Sequence, residues 1–187
     1  MIKTKGFTLI ELITVISIIS IVSVSGAYLM VYLLQNSVVI PNKLNMDMIV
    51  SEALDIMIEG NSLAKGLRFS KSIIEMENNR VVFDNQEGER IVYRLDTTAK
   101  KLYRSIKGSP ETFIPYYVKL GINIIARDGS LFTYYDQSDN EIDTGGGNPA
   151  DIRRIEIGLI AKTGTGSYAD WEAHSEQTSS IAIKKFQ

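Results

Sequence analysis

Between Phe7 and Leu34 the chain carries a single charged residue, Glu11, in 28 positions. As a helix this stretch is roughly 42 Å long at about 1.5 Å per residue, more than the ~30 Å hydrocarbon core of a bilayer. It is long enough to span a membrane. Lys3 and Lys5 precede it and the next basic residue is Lys43, so the positive-inside rule keeps the extreme amino terminus in the cytoplasm and puts everything after the span outside. The overall composition, 44% hydrophobic with a net charge of −2 over 187 residues, averages this segment with a polar remainder and hides two unlike parts. There is no cysteine, which excludes a disulfide scaffold, a thiolate zinc site and a cysteine nucleophile.

Three readings of the apolar run compete. A secretory signal peptide needs an apolar core of about 7 to 15 residues and a small-x-small cleavage site. Ser23-Val24-Ser25 and Ser25-Gly26-Ala27 offer such sites, but the run continues past both. A plain single-pass anchor fits the length and leaves Glu11 without a purpose, although a carboxylate in a span is costly. The third reading accounts for Glu11. Lys5-Gly6-Phe7-Thr8-Leu9-Ile10-Glu11-Leu12-Ile13 resembles the class III prepilin leader junction of the type IV pilin and type II secretion pseudopilin superfamily. The resemblance implies that residues 1–6 are a leader, that a prepilin peptidase cuts after Gly6, and that the new amino terminus, Phe7, is N-methylated. Glu11 then matches the family's carboxylate at the fifth mature position. The plain anchor stays as the alternative.

Charge arithmetic supports the resemblance. Cleavage makes the α-amine of Phe7 a cation, and Glu11 lies one helical turn away with the opposite sign. In this family the carboxylate pairs with a subunit's methylated amine during assembly, and the penalty on an unpaired buried charge makes such a pair a positioning device. Ser17, Ser20, Ser23, Ser25 and Gly26 are small enough to let neighbouring helices approach closely.

Beyond the span, Pro41 predicts a kink or short break near residues 36–42. Leu44, Met48, Ile49, Ala53, Ile56, Met57 and Leu63 recur at spacings of three or four, which predicts an amphipathic helix to about Glu59, stopped by Gly60-Asn61. Met46, Met48 and Met57 are expected against the core. Strands are predicted at Arg80 to Phe83 and Glu89 to Leu95 around a turn at 84–88, and at Lys101 to Ser105. Further strands fall at Tyr116 to Ala126, Leu131 to Tyr135, Ile152 to Ala161 and Ser180 to Ile183, with alternation clearest in Ile155, Ile157 and Leu159. The expected fold is α+β: a long helix over 7–59, of which 7–34 is transmembrane or filament core, packed on an antiparallel sheet in a head over 60–187. The run Leu54 to Ser70, Tyr93-Arg94-Leu95 with Leu102-Tyr103-Arg104, and especially Phe132-Thr133-Tyr134-Tyr135-Asp136 followed by Asp151 to Ile157 are most similar to W- and J-type minor pilins and pseudopilins. The chain departs from that family in lacking a proline inside the membrane helix, since none occurs between Phe7 and Ile40.

Catalytic chemistry finds little support. His174 is the only histidine and no nucleophile-elbow pattern accompanies it, so it reads as a surface-loop residue. Asp136, Asp139, Glu141 and Asp143 place oxygen ligands close together, as calcium demands, but lack the loop glycine of a calcium hand. Asp- and Asn-rich turns between strands are the commoner explanation. Gly145-Gly146-Gly147 reads as a flexible loop without a phosphate-binding lysine. Tyr168 and Trp171 sit in a Gly/Ser/Thr-rich stretch over 163–180 and are expected to close over the core. Lys184-Lys185 reads as solvated. Removing Lys3 and Lys5 from the 20 basic residues leaves 18 against 22 acidic, which argues against a nucleic-acid receptor.

The functional expectation is a non-enzymatic structural subunit without a cofactor, a minor pilin or pseudopilin assembling through its helix, in the initiating complex near the tip. Its implied partners are the prepilin peptidase, other pilin or pseudopilin subunits, the inner-membrane assembly platform, and the lipid bilayer before assembly. The implied location is the bacterial inner membrane with the head outside the cytoplasm, then the pilus or pseudopilus. The alternative is a tip-located adhesion module or a substrate- or DNA-binding module anchored by the same helix.

Overall fold

A computed structural model describes residues 8–114, 122–163 and 173–183. Among these residues one α-helix, α1 (Leu9–Ile58), comes first and is followed by nine strands. Cα compaction divides the chain into two units at Pro41 and Asn42.

In the first unit no described residue of α1 is buried. This surface is apolar almost all round, as a lipid-facing or helix-facing element must be. Pro41 lies inside α1 without interrupting it, whereas its sequence position suggested a kink or short break. The proline removes only the amide that would serve the Ser37 carbonyl, and a long helix tolerates one missing bond when the ladder continues on both sides.

In the second unit α1 is amphipathic. Met46, Ile49, Val50, Ala53, Leu54, Met57 and Ile58 are buried, a stripe of period 3.6 facing the head core. Leu44, Met48 and Leu63 are exposed instead, correcting the expectation that placed Met48 in the core. Met46, Ile49 and Val50 define the buried arc, and Met48 falls outside it. The helix stops at Gly60, which adopts φ +88°, and its N–H donates to the Ile56 carbonyl. This left-handed residue closes the helix as a C-terminal glycine does.

The head holds two antiparallel sheets. The first is a meander of β1 (Ser70–Glu77), β2 (Arg80–Asn85), β3 (Arg90–Asp96), β4 (Lys101–Ile106) and β5 (Thr112–Phe113), in that spatial order. The second is built around β8 (Arg154–Thr163), which pairs along one side with β6 (Ile122–Ala126) and β7 (Phe132–Tyr135) in turn. Along its other side β8 pairs with β9 (His174–Ala182). Inward residues of both sheets and of α1, among them Phe83, Ile91, Tyr93, Phe132, Tyr134, Ile155 and Ile157, form one hydrophobic cluster.

Two polar locks tie these layers together. The Tyr134 hydroxyl on β7 donates within reach of the carbonyls of Glu77 (3.0 Å) and Arg80 (3.3 Å) on the first sheet. Replacing Tyr134 by Phe keeps the packing and strands those acceptors, so a loss of about 1–3 kcal/mol is expected in denaturant unfolding. The second lock secures the end of α1, whose last turn has no basic residue. Tyr93 donates its hydroxyl to the Ile56 carbonyl at 3.1 Å, and the buried Arg104 beside it on β4 donates to Asn61 Oδ1 at 3.0 Å. The guanidinium thus supplies from the sheet the positive charge that a helix C-terminus favours. Burial pushes the Tyr93 phenol up to about 12 even against the opposing charge of Arg104, so Tyr93 stays a donor across the physiological range.

Candidate functional site

The helix begins with a reciprocal cap. The Thr8 carbonyl accepts the first helical bond, from the Leu12 N–H at 3.2 Å. Thr8 Oγ1 accepts from the Glu11 N–H at 3.3 Å. Glu11 Oε2 in return accepts from both the Thr8 N–H and the Thr8 hydroxyl, each at 2.9 Å. Thr8 is the N-cap and Glu11 the third helical residue of a capping box, and the carboxylate lies at the positive end of the helix dipole. The Thr-x-x-Glu spacing carries this signal, and reading Glu11 only as a counter-ion for Phe7 misses it. Gly6 and Phe7 lie outside the described residues. Covalent geometry nevertheless relates them to the cap, because the Thr8 nitrogen is three bonds from the α-nitrogen of Phe7. Glu11 is therefore held at the turn where cleavage would create a new cation.

The flank of the helix is prepared for apolar surroundings. Hydroxyls of Thr14, Ser17, Ser20 and Ser25 donate to the carbonyls four residues earlier, at 2.8 to 2.9 Å. Each of these four hydroxyls is satisfied inside its own helix. At Gly26 an added Cβ would meet nothing within 4 Å, so no contact inside the chain demands a glycine there.

The acidic residues of the 136–143 segment do separate jobs. Asp136 accepts from the N–H groups of Ser138 (2.7 Å) and Asn140 (2.9 Å) and from the Asn140 side chain (3.2 Å). The hydrogen bonds from Asn140, backbone first, hold its carboxyl below the usual range. Asp139 pairs with Arg154 at 2.6 Å, and Asp143 accepts from the Gly145 N–H at 3.1 Å. Glu141 lines an open polar crevice of about 350 Å³ with Arg127, Thr133, Tyr135 and Glu156. Among the described residues no group of three or more His, Cys, Asp or Glu side chains is placed to hold a metal ion. Asp136, Asp139, Glu141 and Asp143 are thus not brought together as a calcium set.

Other expectations shift as well. His174 opens β9 rather than sitting in a loop, exposed and paired across the ladder with Lys162. Gly147 belongs to a hydrogen-bonded turn, its N–H donating to the Asp143 carbonyl at 2.8 Å, and an added Cβ there would run into Ile142 and Met76. It fills a tight corner rather than a flexible loop. Tyr168, Trp171, Lys184 and Lys185 lie outside the described residues.

Residues 1–27 match the family described as the prokaryotic N-terminal methylation motif. No curated protein and no solved structure matches the chain. The motif, with the long apolar helix and the antiparallel head behind it, supports the class of type IV pilin-like and pseudopilin subunits. A leader of this type implies processing by a prepilin peptidase and assembly with other subunits. The helix is also long and apolar enough to cross a membrane, consistent with anchoring before assembly.

Proposed function

We propose that the chain is a minor pilin or pseudopilin, a structural subunit that enters the initiating complex of a type IV pilus or type II secretion pseudopilus through its amino-terminal helix. The observation that carries this reading is the methylation motif at residues 1–27, in which Glu11 is presented at the capped helix start. The subunit waits in the inner membrane with its head outside the cytoplasm, meets the assembly platform there, and does no catalysis of its own. Glu11 receives the methylated amine of an incoming or resident subunit and sets axial register, because a misplaced subunit leaves both charges unpaired in an apolar filament core.

Processing comes first in this scheme and is directly measurable. Peptide mass spectrometry of the protein purified from host membranes is expected to find an amino terminus at N-methylated Phe7. A chain retaining Met1 would make the protein a plain anchored one, and a start near Gly26 or Tyr28 would make it a secreted soluble head.

A further inference from the structure

Within residues 8–41 the aromatic side chains are Tyr28 and Tyr32, one helical turn apart on one face of α1. Both are strongly exposed, at 76% and 61%. The capped start at Thr8 and these tyrosines bracket about 20 residues, roughly 30 Å of helix, which equals the hydrocarbon thickness of a bilayer. The apolar sequence does not end there. Leu33, Leu34, Val38 and Ile40 are also exposed, so apolarity alone would carry the span to Leu34, roughly 39 Å from Leu9.

We propose that Tyr28 and Tyr32 anchor α1 at the outer headgroup layer, so that residues 9 to about 29 cross the hydrocarbon and Leu33 onward stands above it. A phenol gains from an interface because its ring prefers the acyl boundary while its hydroxyl keeps a polar partner. Glu11 supplies a second force. Sliding the helix inward until Leu34 is buried would carry Glu11 toward the cytoplasm, but drawing Tyr28 and Tyr32 into the hydrocarbon would bury both hydroxyls without lipid headgroup partners. Keeping Glu11 at the inner boundary while burying Leu34 would instead need a tilt of about 30°, beyond the ~20° average of membrane helices. The upright register satisfies both ends at once. This inference rests on the membrane-inserted reading of the helix.

The absence of native cysteine makes the test clean. Single Cys variants of the full chain at Val22, Leu34 and Val38 would be treated with a membrane-impermeant maleimide in spheroplasts lacking partner subunits. Protection of Val22→Cys with labelling of Leu34→Cys and Val38→Cys is expected. Adding Tyr28→Leu and Tyr32→Leu, which preserve helix propensity, is expected to reduce labelling at position 34 to near background while position 38 stays labelled. Protection of position 34 with both tyrosines present, or its unchanged labelling after they are replaced, would overturn the anchoring role. Labelling at position 22 would overturn the membrane-inserted reading itself, and the anchor with it.

Discussion

Glu11→Ala is expected to leave the chain in the membrane fraction but to remove most of it from sheared filaments. The apolar surface of α1 that drives insertion is unchanged, so delivery to the bilayer continues. Under the proposed role, assembly would lose the counter-charge for a methylated amine, and breaking a buried pair by deleting one partner costs about 3–5 kcal/mol. Three kcal/mol already corresponds to roughly a hundredfold in an equilibrium constant. The same substitution also deletes the carboxylate half of the capping box, the bonds Glu11 accepts from the Thr8 N–H and hydroxyl, and so weakens the helix start. Glu11→Gln separates the two roles. Glutamine retains the capping geometry but not the charge, so it is expected to assemble about as poorly as alanine. Filament recovery restored by Gln would assign Glu11 to the cap. Undiminished recovery of the Ala variant would remove the assembly role altogether.

Gly60→Ala is expected to unfold the head at a much lower denaturant concentration than the parent chain. Gly60 has φ +88°, a left-handed conformation that costs a residue with a Cβ about 1–2 kcal/mol. The added methyl would also meet the Ala64 carbonyl oxygen and the backbone of Lys65 and Gly66. These are main-chain atoms, held by the Asn61 N–H on Ala64 and the Gly66 N–H on Glu59, at 3.0 and 3.1 Å, and they cannot rotate aside as a long side chain would. The turn must therefore open, at the point where Arg104 and Tyr93 tie the end of α1 to the sheet. Thermal or urea unfolding of the full-length protein in detergent measures the effect. A midpoint within error of the parent would show that the turn relaxes at no cost.

Secondary structure was legible where hydrophobic period and local chemistry agreed. β3 alternates inward Ile91, Tyr93 and Leu95 with outward Val92 and Arg94, and β8 does the same through Ile155, Ile157 and Leu159. Both are recognisable from the residues alone. β1 was missed because two bulges, between Ser70 and Ser72 and between Ile73 and Glu75, interrupt the alternation that marks a strand. β9 was mostly missed for a different reason. His-Ser-Glu-Gln-Thr-Ser-Ser-Ile-Ala offers little apolar surface, and its strand conformation comes from a continuous ladder with β8, from Arg154 opposite Ala182 to Lys162 opposite His174. Tertiary pairing overrides weak intrinsic preference in such segments.

For the functional end the division falls differently. Gly6, Phe7, Thr8 and Glu11 lie within six consecutive residues, so the Thr8–Glu11 cap and the processing and charge pairing proposed for this segment are readable in order along the sequence. The head offers no comparable shortcut. The four carboxylates of 136–143 are neighbours in the chain, yet Asp139 faces Arg154 across the fold and Asp136 turns back on its own loop. Likewise Arg104 finds the end of α1 from 43 residues away. A local motif carries its partners with it, whereas a side chain in the head acquires its partner only when two sheets and a helix close on one core.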